Sequence, residues 1–157
     1  MSVVQNIRKF LQTKFEKDTS LRQKLIKEGD IPASVVSGLI NERKVNPNLI
    51  SIVKIADYFD CSIAMVLGNG KYNNKKFVYK KKLTQDQISN NLKNNISEII
   101  KCKQMKPVDL AKNIGIAENS IKELIQVNSS KKMLSLKSVI GLSHHLEITI
   151  DELIGRT

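Results

Sequence analysis

The sequence predicts an all-α protein made of two small five-helix bundles joined by a lysine-rich linker. Three observations lead to this prediction. Apolar residues recur at the i, i+3, i+4, i+7 spacing of a helix along both halves of the chain. The apolar pattern of the first half returns in the second half. A short and strongly basic segment separates the two halves.

Size and composition fit two small packed domains. The chain has 157 residues, of which 41% are hydrophobic and 26% are charged, a balance typical of globular proteins. No apolar run approaches the roughly 18 residues of a membrane span, and the first residues, MSVVQNIRKF, lack the apolar stretch of a signal peptide. We therefore expect a cytoplasmic protein.

The first predicted domain covers residues 1–70. Its segment LRQKLIKEGDIPASVVSGLINERK predicts a helix, a tight turn and a second helix over residues 32–41. Gly29-Asp30 break the first helix, and Pro32 suits the first turn of the next one. Val36 and Leu39 are expected to anchor that second helix. The segment LISIVKIADYFDCSIAMVLG then predicts two further helices that end at Gly68.

The predicted linker covers residues 71–83. It holds six lysines and no acidic residue, which is more than half of the formal net charge of +11. Such a charge favours polyanionic partners. A membrane surface is disfavoured because KKFVYKKKL is too short and too β-branched for an amphipathic helix. We predict that the linker contacts DNA phosphates, with a solvated tether as the alternative, through Lys75, Lys76, Lys80, Lys81 and Lys82.

The second predicted domain covers residues 84–157 and begins with a capping box, Thr84 with Gln87. Its segment KPVDLAKNIGIAENSIKELIQ repeats the helix-turn-helix pattern, with Gly115 supplying a positive φ at the turn. The segment LKSVIGLSHHLEITIDELIG repeats the end of the first domain at an offset of 87 residues. Farther upstream we match Leu25 with Leu110 at an offset of 85, and Ile7 with Ile96 at an offset of 89.

Both halves resemble the XRE family of Cro and phage-repressor helix-turn-helix domains. The resemblance rests on VSGLINERKVNPNLISIVKIADYFDCSIAMVLG in the first half, and on DLAKNIGIAENSIKELI and TIDELIG in the second. It implies lambda-repressor-like bundles that bind operator DNA with the second helix of each motif in the major groove. The sequence departs from the family at Gly29-Asp30, where the turn glycine usually stands one place later, and at Arg22, near a usual phosphate-binding Gln.

The candidate DNA contacts of the first domain lie on the second helix of its motif and on the loop that follows, with Arg22 near the start of the first helix. Hydroxyl and amide groups read base edges, a Val side chain can touch a thymine methyl, and basic groups hold phosphates. Gly38 is expected to be exposed and to admit a close approach of the backbone to DNA. For each of these residues the alternative is a solvated helix face. The set comprises Arg22, Ser34, Val35, Ser37, Gly38, Asn41, Arg43 and Lys44.

The candidate contacts of the second domain are less favourable because the presumed DNA-facing helix carries Glu118 and Glu123, which phosphates repel. This favours either a weaker DNA contact or a protein contact for the second domain. The candidates are Asn119, Ser120, Lys122, Lys131 and Lys132.

Catalytic and metal chemistry are not indicated. Cys61 and Cys102 stand 41 residues apart without a metal-binding motif, and His144 and His145 are interpreted as surface residues. The pairs Asp57 with Asp60 and Asp151 with Glu152 are interpreted as helix-surface or capping carboxylates. We expect no enzyme, no cofactor and no metal.

These observations lead to three functional hypotheses. The first is a sequence-specific DNA-binding transcriptional regulator, a repressor associated with the nucleoid of a bacterium or with a phage, whose partner is double-stranded DNA and which acts as a monomer or homodimer. The second is an interaction protein whose C-terminal domain serves dimerisation or binds a protein partner. The third is non-specific DNA binding through the linker lysines, with a steep salt dependence.

Overall fold

The structure is a computed structural model that describes residues 2–41, 43, 47–68, 78–126 and 133–157. Every regular element in these residues is a helix, which confirms the all-α prediction for this part of the chain. Internal contacts divide the chain into unit 1, Met1–Lys82, and unit 2, Leu83–Thr157. The more detailed division at 70/71 and 83/84 stays a prediction.

Unit 1 contains helices α1 (Val3–Lys17), α2 (Leu21–Glu28), α3 (Ala33–Ile40), α4 (Leu49–Phe59) and α5 (Ile63–Val66). Polar side chains start three of them by accepting hydrogen bonds from first-turn N–H groups: Ser2 for α1, Asn48 for α4 and Ser62 for α5. The apolar stripes of the helices meet in one core. Its fully buried members are Ile7, Leu11, Leu25, Val36, Leu39, Ile52, Ile55, Ala56, Ile63 and Val66.

Unit 2 contains helices α6 (Gln85–Lys103), α7 (Pro107–Asn113), α8 (Ser120–Ile125), α9 (Leu136–Leu146) and α10 (Ile150–Leu153). The capping box of Thr84 and Gln87 starts α6, as predicted. Ser135 and Thr149 cap α9 and α10 through their hydroxyl groups. The fully buried core residues are Ile88, Leu92, Ile96, Leu110, Ala111, Ile121, Val139, Leu142, Leu153 and Ile154.

Helix ends reproduce two of the three offsets of the internal repeat. Helices α9 and α10 begin and end 87 residues after α4 and α5, and α7 and α8 end 85 residues after α2 and α3. The backbone also agrees, because the left-handed residues that follow α4 and α9, Asp60 and Glu147, are 87 residues apart.

The predicted offset of 89 residues between the first helices of the two units, α1 and α6, is wrong. The structure aligns these helices at an offset of 85 residues. Asn6 and Asn91 occupy the same place in their units. A Cβ added to Gly68, which follows α5, would overlap the side chain of Asn6, and a Cβ added to Gly155, which follows α10, would overlap that of Asn91. The buried residues Ile7 and Leu11 then correspond to Leu92 and Ile96. A helical stripe repeats every three to four residues, so a shift of four leaves the apolar pattern unchanged and misleads a comparison of sequences.

The turn between α2 and α3 places its positive φ on Asp30 (54°), whereas Gly29 has an ordinary φ of −81°. The residue 85 positions later is Gly115, whose φ is 74° and which is the predicted turn glycine. Asp30 is held in this conformation partly by Lys54, whose Nζ lies 3.0 Å from the Asp30 carbonyl oxygen and 3.2 Å from its Oδ2. Unit 1 thus uses an aspartate where unit 2 uses a glycine.

We expect the substitution Asp30→Gly to stabilise unit 1 by about 0.5–1 kcal/mol, because glycine adopts a positive φ without the steric cost of a Cβ. The lost ion pair to Lys54 is solvent-exposed and contributes little. Asp30→Asn is the matched control, since it removes the ion pair and keeps a side chain that tolerates this backbone. Urea unfolding followed by tyrosine fluorescence measures the effect on unit 1, where all three tyrosines lie. A glycine variant less stable than the asparagine variant would contradict the expectation.

Candidate nucleic-acid interface

Helices α2 and α3 of unit 1 follow one another, joined by the tight turn at Asp30. The end of α2 is attached to α4 by Tyr58, whose hydroxyl donates to Glu28 Oε2 at 3.3 Å. Partial desolvation, followed by the nearby Glu28 carboxylate, raises the pKa of Tyr58. Leu25, Val36 and Leu39 are fully buried, so the inward faces of both helices are fixed and the opposite face of α3 is presented to solvent.

The solvent face of α3 is short and carries no charge. Ser34 is exposed near its start, and Val35 is half-buried. Beyond its end, Asn41 and Arg43 are exposed, and the Arg43 N–H donates to the carbonyl oxygen of Gly38 at 2.9 Å. This bond keeps the chain beside the end of the helix, so Asn41 and Arg43 stand at the C-terminal end of α3, whereas Ser34 and Val35 lie in its first turn.

Two candidate contacts, Arg22 and Ser37, bind each other. Arg22 Nη2 donates to Ser37 Oγ at 2.9 Å across the gap between α2 and α3, and both side chains are half-buried. The bond leaves the other guanidinium N–H groups of Arg22 for further contacts, because an arginine has five such donors. Sequence reasoning treated the two residues separately, since nothing in their spacing of fifteen residues marks them as partners.

The prediction for Gly38 is wrong, because the structure buries this residue. Helix α3 packs against both α1 and α2, so the covered part of its circumference is wider than the single stripe that Val36 and Leu39 define. Gly38 lies inside that covered part. It therefore offers the interior a position without a side chain, and it does not offer DNA an open backbone.

Helices α7 and α8 of unit 2 lie within the chain in the same order, joined by the turn at Gly115. Lys122, Glu123 and Asn119 are exposed on or just before α8. Glu118 is also exposed and lies 3.8 Å from Lys112 Nζ, a weak solvent-accessible ion pair. The solvent face of α8 therefore carries charges of both signs, whereas that of α3 is neutral.

Ser120 is a second wrong prediction. It is the first residue of α8 and is only 7% exposed, which leaves its hydroxyl turned away from the solvent face. Sequence reasoning also missed Lys93 of α6, whose Nζ donates to the carbonyl oxygen of Gln126 at 2.7 Å and so holds the C-terminal end of α8. A lysine 33 residues away on another helix gives no local sequence signal of this role.

The interpretation of Asp151 as a helix-surface or capping carboxylate is also wrong. It is 4% exposed, and its Oδ1 lies 2.7 Å from Nη1 of Arg156, which is fully buried. The pair joins the first turn of α10 to Arg156, which follows the helix, and helps to close unit 2. By contrast, His144 and His145 are exposed, as predicted.

The linker lysines divide into two groups. Lys80, Lys81 and Lys82 are exposed, and Lys81 Nζ lies 3.0 Å from Asp60 Oδ1. The other predicted basic contacts lie outside the described residues and stay predictions; they are Lys44, Lys75, Lys76, Lys131 and Lys132.

Other kinds of site find no support in the part of the chain that is described. No helix there combines the length and apolarity that a membrane span requires. Groups of three or more potential metal-binding side chains do not occur among the same residues.

Comparisons with known proteins identify a protein family that this chain resembles. Residues 95–157 match the family model of the Cro/C1-type HTH DNA-binding domain, from the middle of α6 to the end of α10. A protein of Rickettsia prowazekii named as an HTH-type transcriptional regulator is 30% identical over 77 residues, which are 47% of this chain and 84% of that protein. A similarly named protein of Rickettsia conorii is also 30% identical over 77 residues, covering 47% of this chain and 71% of the relative. No solved structure matches the chain significantly.

The fold and the site define a helix-turn-helix protein. The chain belongs to the Cro/C1-type helix-turn-helix family. The family match lies on unit 2, where Glu118 just before α8 and Glu123 on it weaken the prediction of DNA contact.

Proposed function

We propose that this protein is a sequence-specific DNA-binding transcriptional regulator that represses transcription by covering a promoter. The observation that carries the proposal is the match of residues 95–157 to the Cro/C1-type HTH DNA-binding domain. The names of the two Rickettsia proteins, both HTH-type transcriptional regulators, agree with it. Acting on chromosomal or phage DNA places the protein in the cytoplasm, at the nucleoid.

A second, tandem DNA-binding domain in unit 1 is part of the proposal. Its support is the correspondence of helix ends between the units, at 85 residues for the helix-turn-helix and 87 for the following helices. The fully buried anchors agree as well, since Leu25, Val36 and Leu39 correspond to Leu110, Ile121 and Leu124. Two five-helix bundles of lambda-repressor type would follow from this correspondence.

Base reading is assigned chiefly to α3 of unit 1. Its solvent face is neutral, so it can approach base edges without repulsion from phosphates, and Arg43 stands beside it as a phosphate contact. Glu118 just before α8 and Glu123 on it would each be repelled by the DNA backbone. We therefore assign unit 2 a supporting DNA contact, with dimerisation or binding of a protein partner as the alternative.

Ser34→Glu tests the assignment, because it places a negative charge in the middle of the proposed reading face. We expect the affinity for a selected DNA site to fall by about 10- to 100-fold, the range of one lost base contact. Thr13→Glu is the matched control: Thr13 is also exposed, lies on α1, and corresponds to Glu98 in unit 2. That variant should bind within about threefold of the wild type, since a distant charge is screened at physiological salt. Equal losses in the two variants would contradict the assignment.

Selection of binding sites from a random duplex pool at about 150 mM salt supplies the DNA for this test and separates the hypotheses. A motif of two unlike parts would mean that both units read bases. Two copies of one short motif would mean that unit 1 reads bases in a dimer, and a single short motif would leave unit 2 for a protein partner; sedimentation of the full chain gives the oligomeric state. Absence of any motif, with binding that disappears as salt rises, would overturn the proposed function in favour of non-specific binding.

A further inference from the structure

The last residues of unit 1 lie against the C-terminal end of α4. Lys81 Nζ forms an ion pair with Asp60 Oδ1 at 3.0 Å, and the backbone N–H of Lys82 donates to Asp57 Oδ2 at 3.1 Å. Tyr79, just upstream, is half-buried. These contacts extend unit 1 beyond α5 to Lys82 and attach the end of the basic linker to it.

The C-terminal end of α4 suits a basic segment for a general electrostatic reason. A helix carries partial negative charge at its C-terminal end, and cations stabilise it there. The last turn of α4 holds no basic residue of its own, and the carboxylates of Asp57 and Asp60 add two negative charges. Lys81 therefore supplies the cation that the last turn of α4 lacks.

The backbone of Lys82 adopts a disfavoured conformation, which a contact stabilises. Its φ is 58°, in the left-handed region that a side chain with a Cβ disfavours. In this conformation its N–H points at Asp57 Oδ2. The bond offsets part of the conformational cost, so loss of the Asp57 carboxylate should release Lys82 as well as Lys81.

We propose that Asp57 and Asp60 form a docking surface for the basic segment of this same chain, and we call the set Asp57, Asp60, Lys81 and Lys82 the linker latch. With the linker latch closed, only Leu83 stands between unit 1 and Thr84, the cap of α6. With it open, Lys81 and Lys82 are released from α4. The linker latch thus determines whether these two lysines belong to unit 1 or to the connection that leads to Thr84.

The linker latch also determines whether Lys81 is available to other anions. Phosphates of DNA compete with Asp60 for the same ammonium group, so binding of DNA opens the linker latch. This consequence rests on the proposed function, whereas the existence of the linker latch in the free protein does not. Because the ion pair is exposed, we expect it to contribute modestly and to weaken with salt.

Amide hydrogen exchange at Lys82, measured by NMR on the full chain, tests the linker latch without DNA. The variant combines Asp57→Ala, which removes the acceptor, with Asp60→Asn, which keeps a residue suited to the left-handed end of α4. We expect exchange at Lys82 to become at least about threefold faster, the effect of a fraction of a kcal/mol for an exposed contact. In the wild type, about 0.5 M salt should also accelerate exchange, and in the variant it should have little effect.

The matched control makes the same change of charge in unit 2. Glu147→Asn alters the left-handed residue that follows α9, 87 positions after Asp60, and Glu152→Ala alters an exposed residue of α10. This control should leave exchange at Lys82 unchanged. Unchanged exchange in the Asp57→Ala, Asp60→Asn variant would overturn the linker latch.

A duplex carrying the selected site, added to the wild type, separates failure of the linker latch from failure of the proposed function. Faster exchange at Lys82 on adding this DNA supports competition by phosphates for the linker latch. If the duplex has no effect while the variant still exchanges faster than the control, the linker latch stands and the proposed DNA contact of the linker is wrong.

Discussion

Asp151→Asn is expected to destabilise unit 2 by about 3–5 kcal/mol, the typical cost of leaving one member of a buried ion pair without its partner. Asn has nearly the size of Asp, so the change removes charge and hardly any volume. Arg156 stays fully buried in the native state, and its guanidinium loses the carboxylate 2.7 Å away. Since whole domains are stable by only about 5–15 kcal/mol, unit 2 would become marginal.

The neighbouring substitution Glu152→Gln is the control for Asp151→Asn. It removes the same charge one residue away, at an exposed position near the start of α10, and should cost less than about 1 kcal/mol. Adding Arg156→Met to Asp151→Asn should recover most of the lost stability, because an apolar pair of similar volume avoids the desolvation of both charges.

The positions of the aromatic residues allow urea unfolding to be followed separately for the two units. Residues 83–157 contain no Phe, Tyr or Trp, so tyrosine fluorescence reports on residues upstream of unit 2, whereas far-UV circular dichroism reports on helices in both units. We expect urea unfolding of the Asp151→Asn variant to show an early loss of helix signal before the tyrosine transition. A variant as stable as Glu152→Gln would show that the Asp151 and Arg156 charges are not held in a buried pair.

Gly155→Ala is expected to cost about 2–4 kcal/mol in unit 2, for two reasons that add. Gly155 has a φ of 77°, where a residue with a Cβ is disfavoured by about 1–2 kcal/mol. The added Cβ would also lie 2.7 Å from Asn91 Cγ. Moving Asn91 away would break the bond from its Nδ2 to the Ile154 carbonyl oxygen, 3.1 Å long, at a cost of about 1 kcal/mol.

Gly115→Ala separates the two reasons. Its φ of 74° carries the same conformational cost, but an added Cβ there would meet no atom within 4 Å. We expect it to cost only about 1–2 kcal/mol in the same far-UV unfolding experiment. Equal losses for Gly115→Ala and Gly155→Ala would mean that Asn91 yields without cost, against the role assigned to it.

The elements of this fold were predictable where local chemistry determines them. The capping box at Thr84, the glycine turn at Gly115 and the repeat of α4 and α5 by α9 and α10 all follow from short-range patterns. The offset between α1 and α6 was not predictable, because the apolar stripe of a helix matches itself after a shift of one turn. Only the contact of Asn6 and Asn91 with glycines about sixty residues away fixes the alignment.

The candidate site was predictable only in part, and the errors share a cause. Gly38 and Ser120 were placed on solvent faces, yet both are buried. The buried arc of a helix depends on how many neighbours pack against it, which sequence periodicity does not show. The link from Arg22 to Ser37 and the ion pair from Lys81 to Asp60 join residues on different segments, so their partners emerge only in three dimensions.

The contact between each first-helix asparagine and the glycine that closes its unit has a topological consequence. Asn6 on α1 touches Gly68, which follows α5, and Asn91 on α6 touches Gly155, which follows α10. The first and fifth helices of each unit are therefore neighbours in space. A second copy could be appended in tandem without a long returning connection, and circular permutants that join residue 68 to residue 6 through a short bridge are feasible by the same geometry.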